Sequence, residues 1–291
     1  MDPKVLNKVS GLELKARLAV EGFVSGRHES PLKGNSVEFR EHREYVPGDD
    51  IRFLDWKVYG KTDRYYIKEY EEETSLRVYL VLDTSSSMSY GSDEPSKIDY
   101  AKMIAASLTH LVTQQQDEAA LVLWDDHLGK FLPPGNNPLH VRDIYRSLAE
   151  AQPTGKTDLG RLLSDVAERL RRRSLIILLS DLFDAEEGGF ERGLKYVRHK
   201  GHDVIVFHVL DRTELEFPFD RMTQFEGLEV EEKLHADPKA LRRAYLEELS
   251  KFLERAKAAC TTNRMDYVRM DTSSPLDIAL SSYLAARVGA R

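Results

Sequence analysis

From Leu76 onward, runs of uninterrupted apolar residues alternate with amphipathic stretches. "LRVYLVLD" is followed by "KIDYAKMIAASLTHLVTQQ" and then "AALVLWDD", with an edge hairpin strand at "LGKFLP". Further on come a helix after "GKTDLG", the strand "SLIILLSD", the helix "FERGLKYVRHK" and the strand "DVIVFHVL". A strand that is apolar at every position has no face for solvent, so helices must cover both sides of the sheet. The alternation itself implies crossover connections and a mostly parallel order. The predicted fold class is therefore α/β, doubly wound, with a mostly parallel sheet flanked by helices.

The tail continues the pattern. Asp237 and Pro238 supply an N-cap and first-turn pair, and Leu241, Tyr245, Leu249, Phe252 and Ala256 form one stripe behind them. "MDYVRM" reads as one more strand, and Ser274, Pro275 and Asp277 start a further helix. Ahead of Leu76 the texture differs. Val5, Val9, Leu12, Ala16 and Val20 recur at helical spacing, and a stretch dense in Gly, Pro, Tyr and charge then suggests short strands and turns. The expected division is an α+β amino-terminal extension over residues 1–75 and the α/β domain over residues 76–291.

Several function classes fall away on composition. A net charge of -7, with Lys and Arg interleaved with Glu and Asp, does not provide the basic face that phosphate neutralisation needs, so nucleic acid is not an expected partner. Cys260 is the one cysteine, which rules out an intrachain disulfide and a thiolate metal cluster and suits a reducing compartment. The opening "MDPKVLNKVSGLELK" lacks the apolar core of a signal peptide, and the apolar runs are short of a bilayer span. A soluble, cytoplasmic protein with no membrane span is expected.

In open α/β sheets, ligands bind outside the carboxyl ends of the strands. Asp83 follows "VYLVL" and Asp181 follows "LIILLS" at that rim, and Thr157 lies in the loop "PTGKTDLG" before a helix. In extended backbone, residues two apart point the same way, so Asp83, Ser85 and Ser87 of "DTSSS" can converge. Carboxylate and hydroxyl oxygens are hard ligands that suit Mg²⁺, Mn²⁺ or Ca²⁺ rather than zinc. The competing reading is a cluster of helix-capping residues. A phosphate loop fails, because Glu150 stands where "GKT" would need glycine. A serine hydrolase matches poorly, because Ser85 lacks the flanking glycines of a nucleophile elbow. Metal-bound water, or Asp83 as a phosphoryl acceptor, leaves a metal-dependent phosphohydrolase as the enzyme alternative.

Other chemistry-bearing residues read more plainly. His199 and His202 in "RHKGHD" suggest a surface turn that ends a helix, and Trp56 and Trp124 suggest packing. Asp49, Asp50, Arg52 and Asp55 in "PGDDIRFLDW" suggest a turn with surface ion pairs or else a partner-binding or metal-supporting surface.

With Asp83, Ser85, Ser87, Thr157 and Asp181 in this order, the chain resembles the von Willebrand factor A domain, whose metal ion-dependent adhesion site is written D-x-S-x-S, then a distant Thr, then a distant Asp. The segment from "GRHESPLKGNSVEFREHREYVPGDD" to "YYIKEYEEE", with the close "DYVRMDTSSPLDIALSSYLAAR", is similar to the domain of unknown function 58 family. Members of that family carry an A-type domain and are often encoded beside MoxR-type AAA+ ATPases. The resemblance implies a von Willebrand factor A-like fold and a divalent ion, Mg²⁺ or else Mn²⁺ or Ca²⁺. Ser85, Ser87 and Thr157 would hold the ion directly or through water, with Asp83 and Asp181 acting largely through water. It also implies a protein partner, a MoxR-type ATPase, and a binding role rather than an enzymatic one.

Overall fold

A computed structural model describes residues 10–14, 16, 38–46, 54–62, 64–71, 75–125, 127–184, 188–226, 228 and 233–279. The chain divides into two compact units, Leu32–Leu76 and the remainder, Met1–Pro31 with Arg77–Arg291. In the smaller unit, strands β1 (Glu38–Glu44) and β2 (Tyr66–Glu71) pair antiparallel, with a register shift between Phe39 and Glu41. The short helix α1 (Trp56–Thr62) lies between them in sequence. Asp55 starts it: the Val58 amide donates to Asp55 Oδ1 at 3.3 Å, and the Asp55 amide donates to the Tyr66 carbonyl at 2.8 Å. Trp56, expected to pack, is 65% exposed and meets Tyr59 edge-on. As the first residue of the helix it follows the buried cap and turns outward.

The larger unit is built on β3 (Arg77–Asp83), β4 (Glu118–Trp124), β5 (Leu128–Gly135), β6 (Leu175–Ser180), β7 (Asp203–Leu210) and β10 (Asp266–Asp271). These form one six-stranded sheet in the order β10-β7-β6-β3-β4-β5, parallel except for β5, which pairs antiparallel on the β4 edge. The doubly wound, mostly parallel architecture is the one the sequence pattern predicts. Every residue of β6 is buried, as is every residue of β3 and β4 after the first. Uninterrupted apolar strands leave no alternative, because each face has a helical layer to meet.

Helices α2 (Lys97–Gln114) and α3 (Pro138–Glu150) pack on each other and on one side of the sheet. Helices α4 (Leu159–Arg169), α5 (Gly189–His199) and α7 (Pro238–Thr262) supply the core on the other. Tyr79, Val81, Val122, Ile176, Leu178 and Val206 face that second layer. Each such side chain taken from water stabilises the fold by about 1.5–3 kcal/mol. Helix α3 is absent from the sequence expectation, although Asn137, which accepts from the His140 amide, and Pro138 in the first turn mark its start. The helix starting at Asp237 and the stripe from Leu241 to Ala256 are found as expected, all five stripe positions being buried or half-buried.

The approach of α4 to α5 is close. A Cβ on Gly193 would come within 2.8 Å of Leu163 Cδ1, and one on Gly160 within 3.0 Å of the Gly189 carbonyl oxygen. At the end of α5 the expected turn is present, with Gly201 at φ +83. His202 is not on the surface, however: it is 2% exposed, because β7 begins at the next residue and carries it under the α4 backbone near Ala167. The larger unit also contains a hairpin of β8 (Thr223–Glu226) and β9 (Lys233–Ala236), the short helix α6 (Arg212–Glu216) and helical residues at 10–14 and 276–279.

Candidate metal centre

The chain leaves β3 for β4 and β5 on one side, then crosses to β6 on the other, so β3 and β6 are neighbours that flank the point where strand order reverses. A crevice opens at the carboxyl ends of strands at such a point. Asp83 is the last residue of β3, and Ser180 closes β6 beside it, with Asp181 the next residue. Asp83 is fully buried. Its Oδ1 accepts from the Ser85 amide at 2.9 Å and the Thr157 hydroxyl at 2.8 Å, and its Oδ2 accepts from the Ser180 hydroxyl at 2.6 Å. Burial, followed by the nearby Asp181 charge, pushes its carboxyl up to about 6 despite these hydrogen bonds.

The loop after β3 is fixed by backbone bonds. Thr84 donates its amide to the Trp124 carbonyl at 2.6 Å, Ser86 donates to Gly155 at 3.0 Å, and Thr154 donates to Thr84 at 2.7 Å. These bonds strap the loop that carries Thr157 against the one that carries Ser85 and Ser87. Gly155 takes φ +70 to allow it. Ser85 precedes the 3-10 turn Ser86–Ser89 but makes no capping bond with its side chain; its hydroxyl instead lies 3.0 Å from that of Ser87. All three hydroxyl groups are buried or nearly so, with Thr157 1% and Ser87 7% exposed.

This arrangement bears on whether a divalent ion fits. Among the described residues no group of three or more His, Cys, Asp and Glu side chains is disposed to hold a metal. An ion at this rim would therefore depend on hydroxyl oxygens. Thr157 donates its proton to Asp83, and Ser85 and Ser87 share one hydrogen bond, so each oxygen keeps lone pairs for a cation. Neutral and carboxylate oxygens are the donors that Mg²⁺ and Mn²⁺ take. The donor set fits.

Asp181 is also fully buried, but it is engaged elsewhere. Its Oδ2 accepts from Lys97 Nζ at 2.7 Å, and its Oδ1 accepts from the Phe183 amide at 3.2 Å. The same ammonium donates to Glu214 Oε1 at 2.8 Å and sits 5.3 Å from the ring centre of Phe183 and 5.7 Å from that of Tyr90. Burial pulls the Lys97 ammonium down, yet the Asp181 and Glu214 charges outweigh it, and the net direction is up. Glu214 is held in turn by the α6 capping box, with its Oε2 accepting from the Asp211 amide at 2.8 Å.

Behind Asp181 stands His208 on β7, with no exposed surface. Its Nε2 lies 2.8 Å from the Asp181 carbonyl and its Nδ1 2.8 Å from the Tyr267 hydroxyl. A carbonyl only accepts, so Nε2 carries the proton and Nδ1 accepts from Tyr267. Burial lowers this imidazole to about 4, which keeps it neutral. Its grip fixes the turn in which Leu182 takes φ 59.

Of the five rim residues named from the sequence, Asp83 and Asp181 lie at the ends of adjacent strands, Ser85 and Ser87 in the loop after β3 and Thr157 in the loop before α4. Lys97, Ser180, His208 and Glu214 were not anticipated. Two of them carried a signal. Lys97 begins the helical stripe that continues with Ala101, Ile104, Ala105 and Leu108, and His208 interrupts a strand otherwise apolar throughout. Asp55 is buried at the start of α1, whereas Asp49, Asp50 and Arg52 lie outside the described residues.

The profile of a family described as "Protein of unknown function DUF58" matches residues 41–254. The chain is 27% identical over 220 residues to the uncharacterized protein Rv1480 of Mycobacterium tuberculosis, covering 75% of this chain and 68% of that one. Among solved structures, it is similar to the conserved hypothetical protein BatB from Bacteroides thetaiotaomicron, with a TM-score of 0.47 and 17% identity over 74% of this chain and 100% of that one. It is also similar to an aerotolerance-related membrane protein from Bacteroides fragilis, with a TM-score of 0.49 and 15% identity over 75% of this chain and 100% of that one. Among the described residues, no helix is long and apolar enough to cross a membrane.

Proposed function

The chain belongs to the DUF58 family of proteins of unknown function, and from that membership and the rim geometry we propose that it is a divalent-metal-dependent protein-binding module of the von Willebrand factor A type. It works with a MoxR-type AAA+ ATPase in complex assembly or maturation, in the cytoplasm. The observation that carries this reading is the set of buried hydroxyls, Ser85, Ser87 and Thr157, gathered around Asp83 with lone pairs unspent. Buried hydroxyls at a strand end cost free energy to desolvate, and a bound cation is a use for them.

Ser85, Ser87 and Thr157 would hold Mg²⁺ or Mn²⁺, with Asp83 and Asp181 beside it. When bound, the ion would supply an electrophilic centre for a partner's carboxylate. The chain's own residues do the rest. Asp83 orients Thr157 and the Ser85 amide, Ser180 fixes Asp83, and His208 holds the Asp181 turn. The alternative, a metal-dependent phosphohydrolase, would need a general base at the rim. The imidazole closest to Asp181, His208, is buried with both nitrogens committed.

Surface plasmon resonance tests the proposal, with a MoxR-type ATPase of the same organism as the analyte. Binding should appear in Mg²⁺, vanish in EDTA and be lost in Asp83→Ala. Losing one member of a desolvated ionic contact costs about 2–5 kcal/mol, chiefly through faster dissociation. A complex whose lifetime is indifferent to both EDTA and Asp83→Ala would refute it.

A further inference from the structure

Lys97 is an unusual residue for its place. It is the first residue of α2, after the cap Ser96, and the aligned peptide dipoles disfavour a cation at that end of a helix. It is also 1% exposed, and its backbone is pinned by donation from its amide to the Tyr90 carbonyl at 2.8 Å. A buried ammonium in this position requires compensation, and Asp181 and Glu214 provide it at 2.7 and 2.8 Å. The rim therefore already contains one cation, covalently tethered, beside the hydroxyl cradle.

We propose that Lys97 sets the divalent-ion affinity of the cradle, by neutralising Asp181 and Glu214, whose charges would otherwise attract the ion. This rests on the metal reading of the same rim. Each Asp181 oxygen accepts one hydrogen bond and keeps lone pairs, but the ammonium at 2.7 Å offsets the charge that the carboxylate would otherwise present to an ion. The single charge of Lys97 also repels the incoming double charge in a site screened from solvent. The same ammonium keeps the carboxylates neutralised when no metal is bound, so the metal-free rim stays assembled.

Replacing Lys97 with methionine keeps the apolar stem and removes the charge. Mn²⁺ titrated calorimetrically into EDTA-stripped, dialysed protein should bind Lys97→Met at least about tenfold more tightly than wild type. In EDTA that variant should melt below wild type, and Mn²⁺ should raise its melting temperature more. The double variant Lys97→Met/Glu214→Gln removes one positive and one negative charge. It therefore matches the wild-type net charge while leaving Asp181 free, and it buries fewer unpaired charges should the single variant fail to fold. It too should bind Mn²⁺ more tightly than wild type. If both variants bind no more tightly than a wild type that does bind, the role of Lys97 is refuted and the metal reading stands. If none of the three proteins binds Mn²⁺, both are refuted.

Discussion

His208 should make the stability of the larger unit depend on pH in a way that one substitution removes. Burial lowers the folded-state value of its imidazole to about 4 from 6.5. Between those values the unfolded chain holds a proton on His208 that the folded chain refuses, so stability rises with pH across the window and is lost on acidification. The separation corresponds to about 3 kcal/mol. Asp83 works in the opposite direction over an overlapping window: raised to about 6 from 3.8 by burial, it is more readily protonated when folded, and its contribution falls as pH rises. A raw pH profile would mix the two. The difference between wild type and His208→Gln isolates the histidine, because both proteins share Asp83, and glutamine offers a donor and an acceptor without titrating. Urea unfolding followed by tryptophan emission is a suitable assay, since Trp124 is fully buried in the sheet and Trp56 is largely exposed. The stability advantage of wild type over the variant should shrink by about 3 kcal/mol from about pH 7.5 to about pH 4. Parallel profiles for the two proteins would refute the assignment of a neutral, buried His208.

Gly193→Ala places a Cβ within 2.9 Å of Leu163 Cβ across the α4–α5 contact and should destabilise by about 1–3 kcal/mol in thermal unfolding. Thr157→Val removes a hydroxyl that donates to buried Asp83 and should cost about 1–3 kcal/mol. The same variant should also lose the metal-induced stabilisation expected of wild type, about 2.7 kcal/mol with Mg²⁺ at a hundred times its dissociation constant, as read by scanning calorimetry.

The sheet was legible because its strands are apolar throughout. "VYLVL" and "LIILLS" can be covered only from both sides, and that requirement fixes a doubly wound layer order before any contact is known. Asp83 and Asp181 were legible because each follows an apolar run, and Thr157 through the motif that the chain resembles; Ser87 was expected on extended backbone but lies in the 3-10 turn Ser86–Ser89, which still brings its hydroxyl within 3.0 Å of that of Ser85. Lys97 was opaque for a specific reason: a lysine near a helix start beside Asp99 and Tyr100 looks like a solvated turn unless the helical stripe is followed back to it. Glu214 was hidden further, because its partner lies 117 residues away in sequence and α6 is too short to announce itself by periodicity. His202 was misplaced because "RHKGHD" reads as a helix-ending surface turn, whereas the strand starting at Asp203 draws it inward. Helix α3 carried readable start signals at Asn137 and Pro138, but its apolar positions are sparse against the surrounding strands.

The proposed function requires one cation to be held by hydroxyl oxygens at the junction of β3, β6 and the loop before α4. Crystals grown in EDTA and transferred to Mn²⁺ would test it through an anomalous difference map at the manganese edge. A single strong peak should lie among Ser85 Oγ, Ser87 Oγ and Thr157 Oγ1, and should be missing from crystals of Ser85→Ala. A map with no peak there at saturating Mn²⁺, or with its only peak at another part of the surface, would contradict the account.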